Sequence, residues 1–290
     1  MMATMQEIVG RLCDAYHHGS SLVLLFDYDG TLTPIVEHPD LAILDRKTER
    51  LLADLAGRPR VHVGILSGRE LDELKSLIDV PRLYLAGTGG MELEMRGYRF
   101  VHPHADRIAD MIDRLADLLD SHVAEHQGAW LEMKRLGLTV HYRQMPEELV
   151  GSLQAAVQEV TQCFAGELKI VQGPKAWEIT AAKGWNKGTA VRLILADCGA
   201  TSDVLFYAGD GCNDAEAIEE VAAMGGITLG IGSNAPPAAE YRLANHTALR
   251  EFLGRLDASF ETRKRHVARS SKYYLGLYGY WKSTLPTNPM

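Results

Sequence analysis

Short apolar runs recur along this chain, each closed by glycine or a charged residue. Residues 22–26, 61–66, 83–86, 204–208 and 227–231 are apolar at most positions, which suits strands covered on both faces, as in a parallel sheet. Between them, apolar positions at helical spacing predict helices over 46–56, 70–78, 215–221 and 238–243. Strands alternating with helices predict an α/β fold, a doubly wound Rossmann-like parallel sheet. Residues 1–20 read as a short amphipathic helix, because Glu7, Arg11 and Asp14 interrupt any signal-like core.

The middle of the chain breaks this rhythm. A long helix is expected from Ala105 to His126, with Ile108, Ile112, Leu115, Leu118, Leu119 and Val123 as its apolar stripe. Two strands follow, 129–134 and 138–143, then a second helix from Pro146 to Cys163, since proline is tolerated in a first helical turn. Strands at 167–171 and 176–180 are joined by the turn signal QGPK. The order αββαββ predicts an antiparallel sheet with helices on one face, an α+β domain inserted at 93–182. The core is then discontinuous, 1–92 and 183–258, with an extension at 259–290.

Composition adds exclusions. Hydrophobic residues are 46% and charged ones 23%, ordinary for a globular chain of 290 residues. The formal charge of −8 argues against general nucleic-acid affinity. No run is long enough for a membrane span. Cys13, Cys163, Cys198 and Cys212 lack metal-type spacing and read as reduced thiols of a cytoplasmic protein.

The candidate chemistry lies where strands stop, because open α/β sheets bind ligands outside the carboxyl ends of their strands. DYDGT (27–31) places Asp27 and Asp29 one residue apart; in an extended chain both would share one side, with Tyr28 on the other. Like charges about 4 Å apart, at an effective dielectric near ~20, repel by roughly 4 kcal/mol, so a shared proton or a bound cation is needed. Ser67-Gly68-Arg69 opens a helix and supplies N–H groups and a hydroxyl for an anion. Trp185-Asn186-Lys187-Gly188 opens another helix, and Gly209-Asp210-Gly211-Cys212-Asn213-Asp214 follows the VLFYA strand.

Each motif alone has an ordinary explanation: a solvated turn, a surface lysine, an N-cap serine. Their serial order favours an enzyme. Together they would supply four carboxylates, one lysine and one hydroxyl. Such an oxygen set suits Mg²⁺, which takes one or two carboxylates together with substrate phosphate. An ionised aspartate can attack phosphorus, and a second can protonate the leaving alkoxide and then activate water. Lysine and serine can hold the phosphoryl oxygens.

D-x-D-G-T, S-G-R, K-G and G-D-x-x-x-D, in this order, resemble the four motifs of the haloacid dehalogenase-like (HAD) phosphatases over nearly the whole chain. The resemblance implies a HAD-like core with Asp27 as nucleophile and Asp29 as acid/base. It implies phosphate binding by Ser67, Gly68 and Lys187, the last also catalytic. Mg²⁺ would be held by Asp27, the Asp29 carbonyl and Asp210, with Asp214 orienting the metal or Lys187. The insertion between the second and third motifs is similar to the type-two cap of that superfamily.

Finer details resemble the trehalose-6-phosphate phosphatases: DYDGTLTPIVEHPDLA, RFVHP (99–103), GLTVHYR (137–143) and WNKG (185–188). That family implies a Mg²⁺-dependent phosphatase converting trehalose 6-phosphate to trehalose and phosphate. Glu132 and Lys134 alternate with apolar residues and share a strand face; with Arg143 and Glu178 on other cap strands they match positions that grip the distal glucose. Arg69 is expected to reach substrate as well. The alternative for the cap residues is a set of cross-strand ion pairs on a solvated face.

Two departures bear on the sugar. Gly89-Gly90-Met91-Glu92 stands where the family has H-G-x-E, and GDGCND is closer to general sugar phosphatases. The alternative substrate is therefore another glycosyl phosphate, of sucrose, glucosylglycerate or mannosylglycerate, and a second class is a catalytically silent sugar-phosphate sensor. The tail from Ser259 interleaves basic and aromatic residues; it reads as an arm packed on the core or a second subunit, with nucleic-acid or membrane contact as the other reading. The expected partner is a sugar-phosphate substrate, without nucleic acid or membrane, in a monomer or small homo-oligomer.

Overall fold

The computed structural model describes residues 2–173, 175–182, 185–199 and 204–261. In the first part, strands β1 (Leu22–Asp27), β2 (Val61–Leu66), β3 (Tyr84–Gly87), β4 (Glu92–Met95) and β5 (Tyr98–Val101) accompany helices α1 (Met2–His17), α2 (Arg46–Ala56) and α3 (Leu71–Leu77). Next come α4 (Ala105–Ala124), β6 (Trp130–Lys134), β7 (Gly137–His141), α5 (Glu147–Gln162), β8 (Leu168–Gly173) and β9 (Ala176–Ala181). Then follow α6 (Lys187–Cys198), β10 (Val204–Gly209), α7 (Ala215–Ala223), β11 (Ile227–Ile231), β12 (Tyr241–Leu243) and a helix, α8, over 246–261. Among the described residues no helix is long and apolar enough to cross a membrane.

Eight strands form one sheet in the order β12-β11-β10-β1-β2-β3-β4-β5. All pairings from β12 to β3 are parallel; β4 and β5 add an antiparallel edge. Every residue of β1 is buried, because apolar layers cover both faces. One layer carries Leu12, Leu52, Leu74 and Phe252; the other carries Val191, Ile194 and Ile218. Burial of this kind contributes roughly 1.5–3 kcal/mol per large apolar side chain.

The smaller sheet, β6-β7-β9-β8, is antiparallel and packs Leu138, Val140 and Ile179 on α4 and α5. Its other face looks toward the large sheet. Leu118 leaves the expected apolar stripe of α4 and is exposed, since it sits about 80° around the helix from Ile108 at 3.6 residues per turn.

Three boundaries differ from the sequence reading. The division at 93 fails because β4 pairs onto β3 and β5 onto β4, so the excursion begins after Val101. Arg96 and Gly97 both have positive φ, 48° and 85°, the two-residue turn whose twist suits a hairpin. Residues 238–243 form a turn and strand β12 rather than a helix, fixed by parallel pairing to Leu229–Ile231 and by Arg242 donating to the carbonyls of Ala235 and Pro236. The division at 259 falls inside α8, where Phe260 is buried against Tyr16 at 4.6 Å between ring centroids. The rest of that tail, 262–290, and Pro174 of the QGPK turn lie outside the described residues.

Strand order places the site. The chain winds outward from β1 to β2 and β3, then returns to build β10, β11 and β12 on the other side. A crevice opens at such a reversal, between the carboxyl ends of β1 and β10.

Candidate active site

Asp27 ends β1 and is 2% exposed. The strand stops there because Leu32 N and Thr33 N turn back to donate to the Tyr28 carbonyl, at 3.0 and 3.1 Å. Lys187, first residue of α6 and 2% exposed, donates from Nζ to Asp27 Oδ1 at 2.6 Å and to Asp214 Oδ1 at 2.7 Å. Asn186 caps that helix through Thr189 N and so fixes where Lys187 starts.

Asp214 is saturated. Its Oδ1 accepts from Lys187 and from Tyr207 Oη, and its Oδ2 accepts from the amides of Asp210 and Gly211 at 3.0 and 3.1 Å. Gly209 permits this, since a Cβ there would lie 2.4 Å from the Asp214 carboxyl carbon. Asp27 differs: its Oδ2 is buried without a hydrogen-bond partner.

Asp27, Asp210 and Asp214 each offer an oxygen, all within 4.8 Å of one another. Burial, and then the charge of Asp214, pushes the Asp27 carboxyl well above its ordinary range despite Lys187. The same causes push Asp210 up to about 7. Burial alone would lower Lys187, but the two carboxylates hold it well above its ordinary value. Three carboxylates face one ammonium, and one buried oxygen has no donor, so the donor set fits a divalent cation. With Asp214 committed, Asp27 and Asp210 are the oxygens left to bind it. Gly30, at φ +86°, makes room for Asp210, whose Oδ2 would lie 2.1 Å from a Cβ there.

The structure does not gather Asp29 into this cluster. Its carboxylate, half-exposed, accepts two hydrogen bonds from Arg69, Nε to Oδ2 and Nη2 to Oδ1, both 2.8 Å. Arg69 thus offsets the charge of Asp29, beside the shared proton or bound cation that the sequence pattern calls for. Arg69 also bonds Glu73 and the Pro39 carbonyl, so its guanidinium is engaged by protein rather than extended toward substrate. The buried Ser67 Oγ accepts from Arg69 N at 3.1 Å, which leaves its own proton for an acceptor in the cleft.

The smaller sheet walls the same cleft, which is lined by Asp27, Asp29, Gly68, Arg69 and Asp210 on one side and by Glu132, Lys134, Arg143 and Glu178 on the other. Lys134 Nζ donates to the Gly68 carbonyl at 3.0 Å and lies 3.4 Å from Glu132. The Glu178 carboxylate sits against Gly68, where a Cβ would be 3.2 Å from its Oε2. Arg143 is exposed just beyond β7. Burial would raise the Glu132 carboxyl, but the hydrogen bond from His141 Nε2, 2.6 Å, and the Lys134 charge hold it down to about 2.

Sequence reasoning passed over several of these residues. Tyr207 lies inside an apolar run and gave no signal. Thr139 and His141 could have been found, since they alternate with the inward-packed Leu138 and Val140 and so share the cleft face. His38, Trp130 and His141 stack as three near-parallel rings, 5.4 and 3.9 Å between centroids, from the loop after β1 to the smaller sheet.

Comparisons with known proteins show the family. The chain is 30% identical to trehalose-phosphate phosphatase B of Arabidopsis thaliana over 253 residues, 82% of this chain and 67% of that protein. It is 31% identical to the probable trehalose-phosphate phosphatase J of the same plant over 256 residues, 82% and 68% of the two chains. The C-terminal domain of a trehalose-6-phosphate phosphatase from C. albicans has the same fold, with a TM-score of 0.77 at 24% identity over 86% of this chain and 97% of that one. Residues 25–244 match the trehalose-phosphatase family model; the chain belongs to that family and is a phosphoric monoester hydrolase.

Proposed function

We propose that this chain hydrolyses trehalose 6-phosphate to trehalose and phosphate, with Mg²⁺ as cofactor and an aspartyl phosphate on Asp27. The observation that carries this reading is the buried, donor-free Oδ2 of Asp27 at the mouth of the switch-point crevice. The names of the curated relatives support the sugar. A divalent cation held by Asp27, Asp210 and the Asp29 carbonyl would neutralise carboxylate charge and draw electron density from phosphoryl oxygens.

Asp27 attacks phosphorus as the bond to the sugar oxygen breaks. Asp29 gives its proton to that alkoxide, then takes one from the water that cleaves the acyl phosphate and restores Asp27. Arg69 occupies one lone pair on each Asp29 oxygen, which leaves a second lone pair on each for the proton. Lys187, positioned by Asp214, and the Ser67 hydroxyl stabilise the charge on the phosphoryl oxygens. Residues 102–182 act as the cap: they exclude bulk water, and Glu132, Lys134, Arg143 and Glu178 hold sugar hydroxyls. The four cysteines, none of them in a disulfide, fit the reducing cytoplasm.

The test is phosphate release from trehalose 6-phosphate beside sucrose, glucosylglycerate and mannosylglycerate phosphates and p-nitrophenyl phosphate, with and without EDTA. Preference for trehalose 6-phosphate, abolished by EDTA, is expected. Preference for another glycosyl phosphate overturns the substrate, and binding of trehalose 6-phosphate without product identifies a silent sensor.

A further inference from the structure

Directly opposed residues of antiparallel strands project from the same face, so the cap sheet presents its side chains in rows. One row runs Glu132, Thr139, Glu178: Glu132 on β6 lies opposite Thr139 on β7, and Thr139 lies opposite Glu178 on β9. All three line the cleft that holds Asp27. The flanking carboxylates have company: Glu132 is bonded by His141 and faces Lys134, and Glu178 rests against Gly68. The central hydroxyl does not. Thr139 is 3% exposed and its Oγ1 has no hydrogen-bond partner.

A buried hydroxyl without a partner is disfavoured, and valine has nearly the same shape with an equal liking for strands. The hydroxyl therefore points to a partner from outside the chain. Two carboxylates beside it repel anions and favour groups that donate protons to oxygen. A neutral hydroxyl fits: it can donate to a carboxylate while accepting from Thr139, or donate to Thr139 itself.

We infer that Thr139 is a substrate-contacting specificity residue, whose Oγ1 pairs with one hydroxyl of the unphosphorylated part of the substrate while Glu132 and Glu178 take the neighbouring ones. The inference rests on the sugar-phosphate reading of the site and adds a residue and a selection rule to it. A leaving group that lacks a hydroxyl at this point leaves Oγ1 buried and unpaired, which is how a polar site rejects the wrong compound.

The experiment compares kcat/KM for trehalose 6-phosphate with kcat/KM for p-nitrophenyl phosphate in the wild type, Thr139→Val, Thr139→Ala and Thr139→Ser. Loss of one hydrogen bond predicts a ratio about tenfold lower in Thr139→Val and Thr139→Ala, mostly through KM for the sugar phosphate. Thr139→Ser, which keeps the hydroxyl, should stay near the wild-type ratio. An unchanged ratio in Thr139→Val and Thr139→Ala, with a wild type that hydrolyses trehalose 6-phosphate, overturns the role of Thr139 alone. A serine variant as impaired as the valine variant does the same, since packing would then be responsible. A wild type that releases phosphate from no sugar phosphate overturns the substrate reading and this inference with it.

Discussion

Arg69 grips Asp29 with two parallel hydrogen bonds of 2.8 Å, and the same guanidinium lies 5.5 Å from the Tyr28 ring centroid. Glu73 and the Pro39 carbonyl fix its remaining edge. The proposed acid/base is therefore held by a rigid fork, and a lysine cannot make that fork although it keeps the charge. Arg69→Lys is expected to lower kcat about a hundredfold, the scale of a small misplacement of a catalytic group. A steady-state assay that finds kcat unchanged would show that the grip has no part in turnover.

Lys187 lies between two buried carboxylates, so its removal leaves both without a cation. Lys187→Met should destabilise the fold by roughly 3–5 kcal/mol, the range for breaking a buried ion pair from one side. Urea unfolding at neutral pH measures it. The double change Lys187→Met with Asp214→Asn should lose less than the sum of the single changes, because one stranded charge is removed with its partner.

Divalent cation should stabilise the folded chain by linkage, by about 2.7 kcal/mol when present at about a hundred times its dissociation constant. Asp210→Asn should abolish the response by removing an anionic ligand. Gly30→Ala should do so too, since its Cβ would lie 2.1 Å from Asp210 Oδ2. Thermal unfolding with Mg²⁺ and with EDTA gives the comparison; a full response in Asp210→Asn places the ion elsewhere.

Glu132 supplies a pH dependence whose sign is fixed. Its folded value, about 2, lies below the ordinary value of 4.5, so its contribution is present above the ordinary value and lost as pH falls. Wild type should lose stability more steeply than Glu132→Gln between about pH 5 and about pH 2. Parallel acid-unfolding curves for the two proteins would show that the His141 and Lys134 contacts contribute nothing.

Much of the fold was legible because its signals are local. The apolar run before Asp27 and the helical spacing of Arg46–Ala56 depend only on neighbours in sequence, and both elements occur there. β4 and β5 were missed although Leu93 and Met95 alternate with polar residues, because each strand is only four residues long and the hairpin is held by the pairing of β4 to β3. Residues 238–243 misled for a related reason: Ala239 and Leu243 fit a helical stripe, yet the pairing of Tyr241–Leu243 with β11 overrides so short a signal. At the site, the motifs named Asp27, Lys187 and Asp214, but not that Asp214 would be filled by four donors or that Arg69 would turn to Asp29.

By itself the sequence determined the strands that carry the site, β1, β2 and β10, and which polar residues stand at their ends, since period and punctuation are properties of neighbouring residues. Tertiary structure alone decided which of those residues meet. Strand order sets β1 beside β10, and cap register sets Thr139 between Glu132 and Glu178. The physical reason is that charge, burial and hydrogen bonding act across space, and Lys187 reaches Asp27 from 160 residues away.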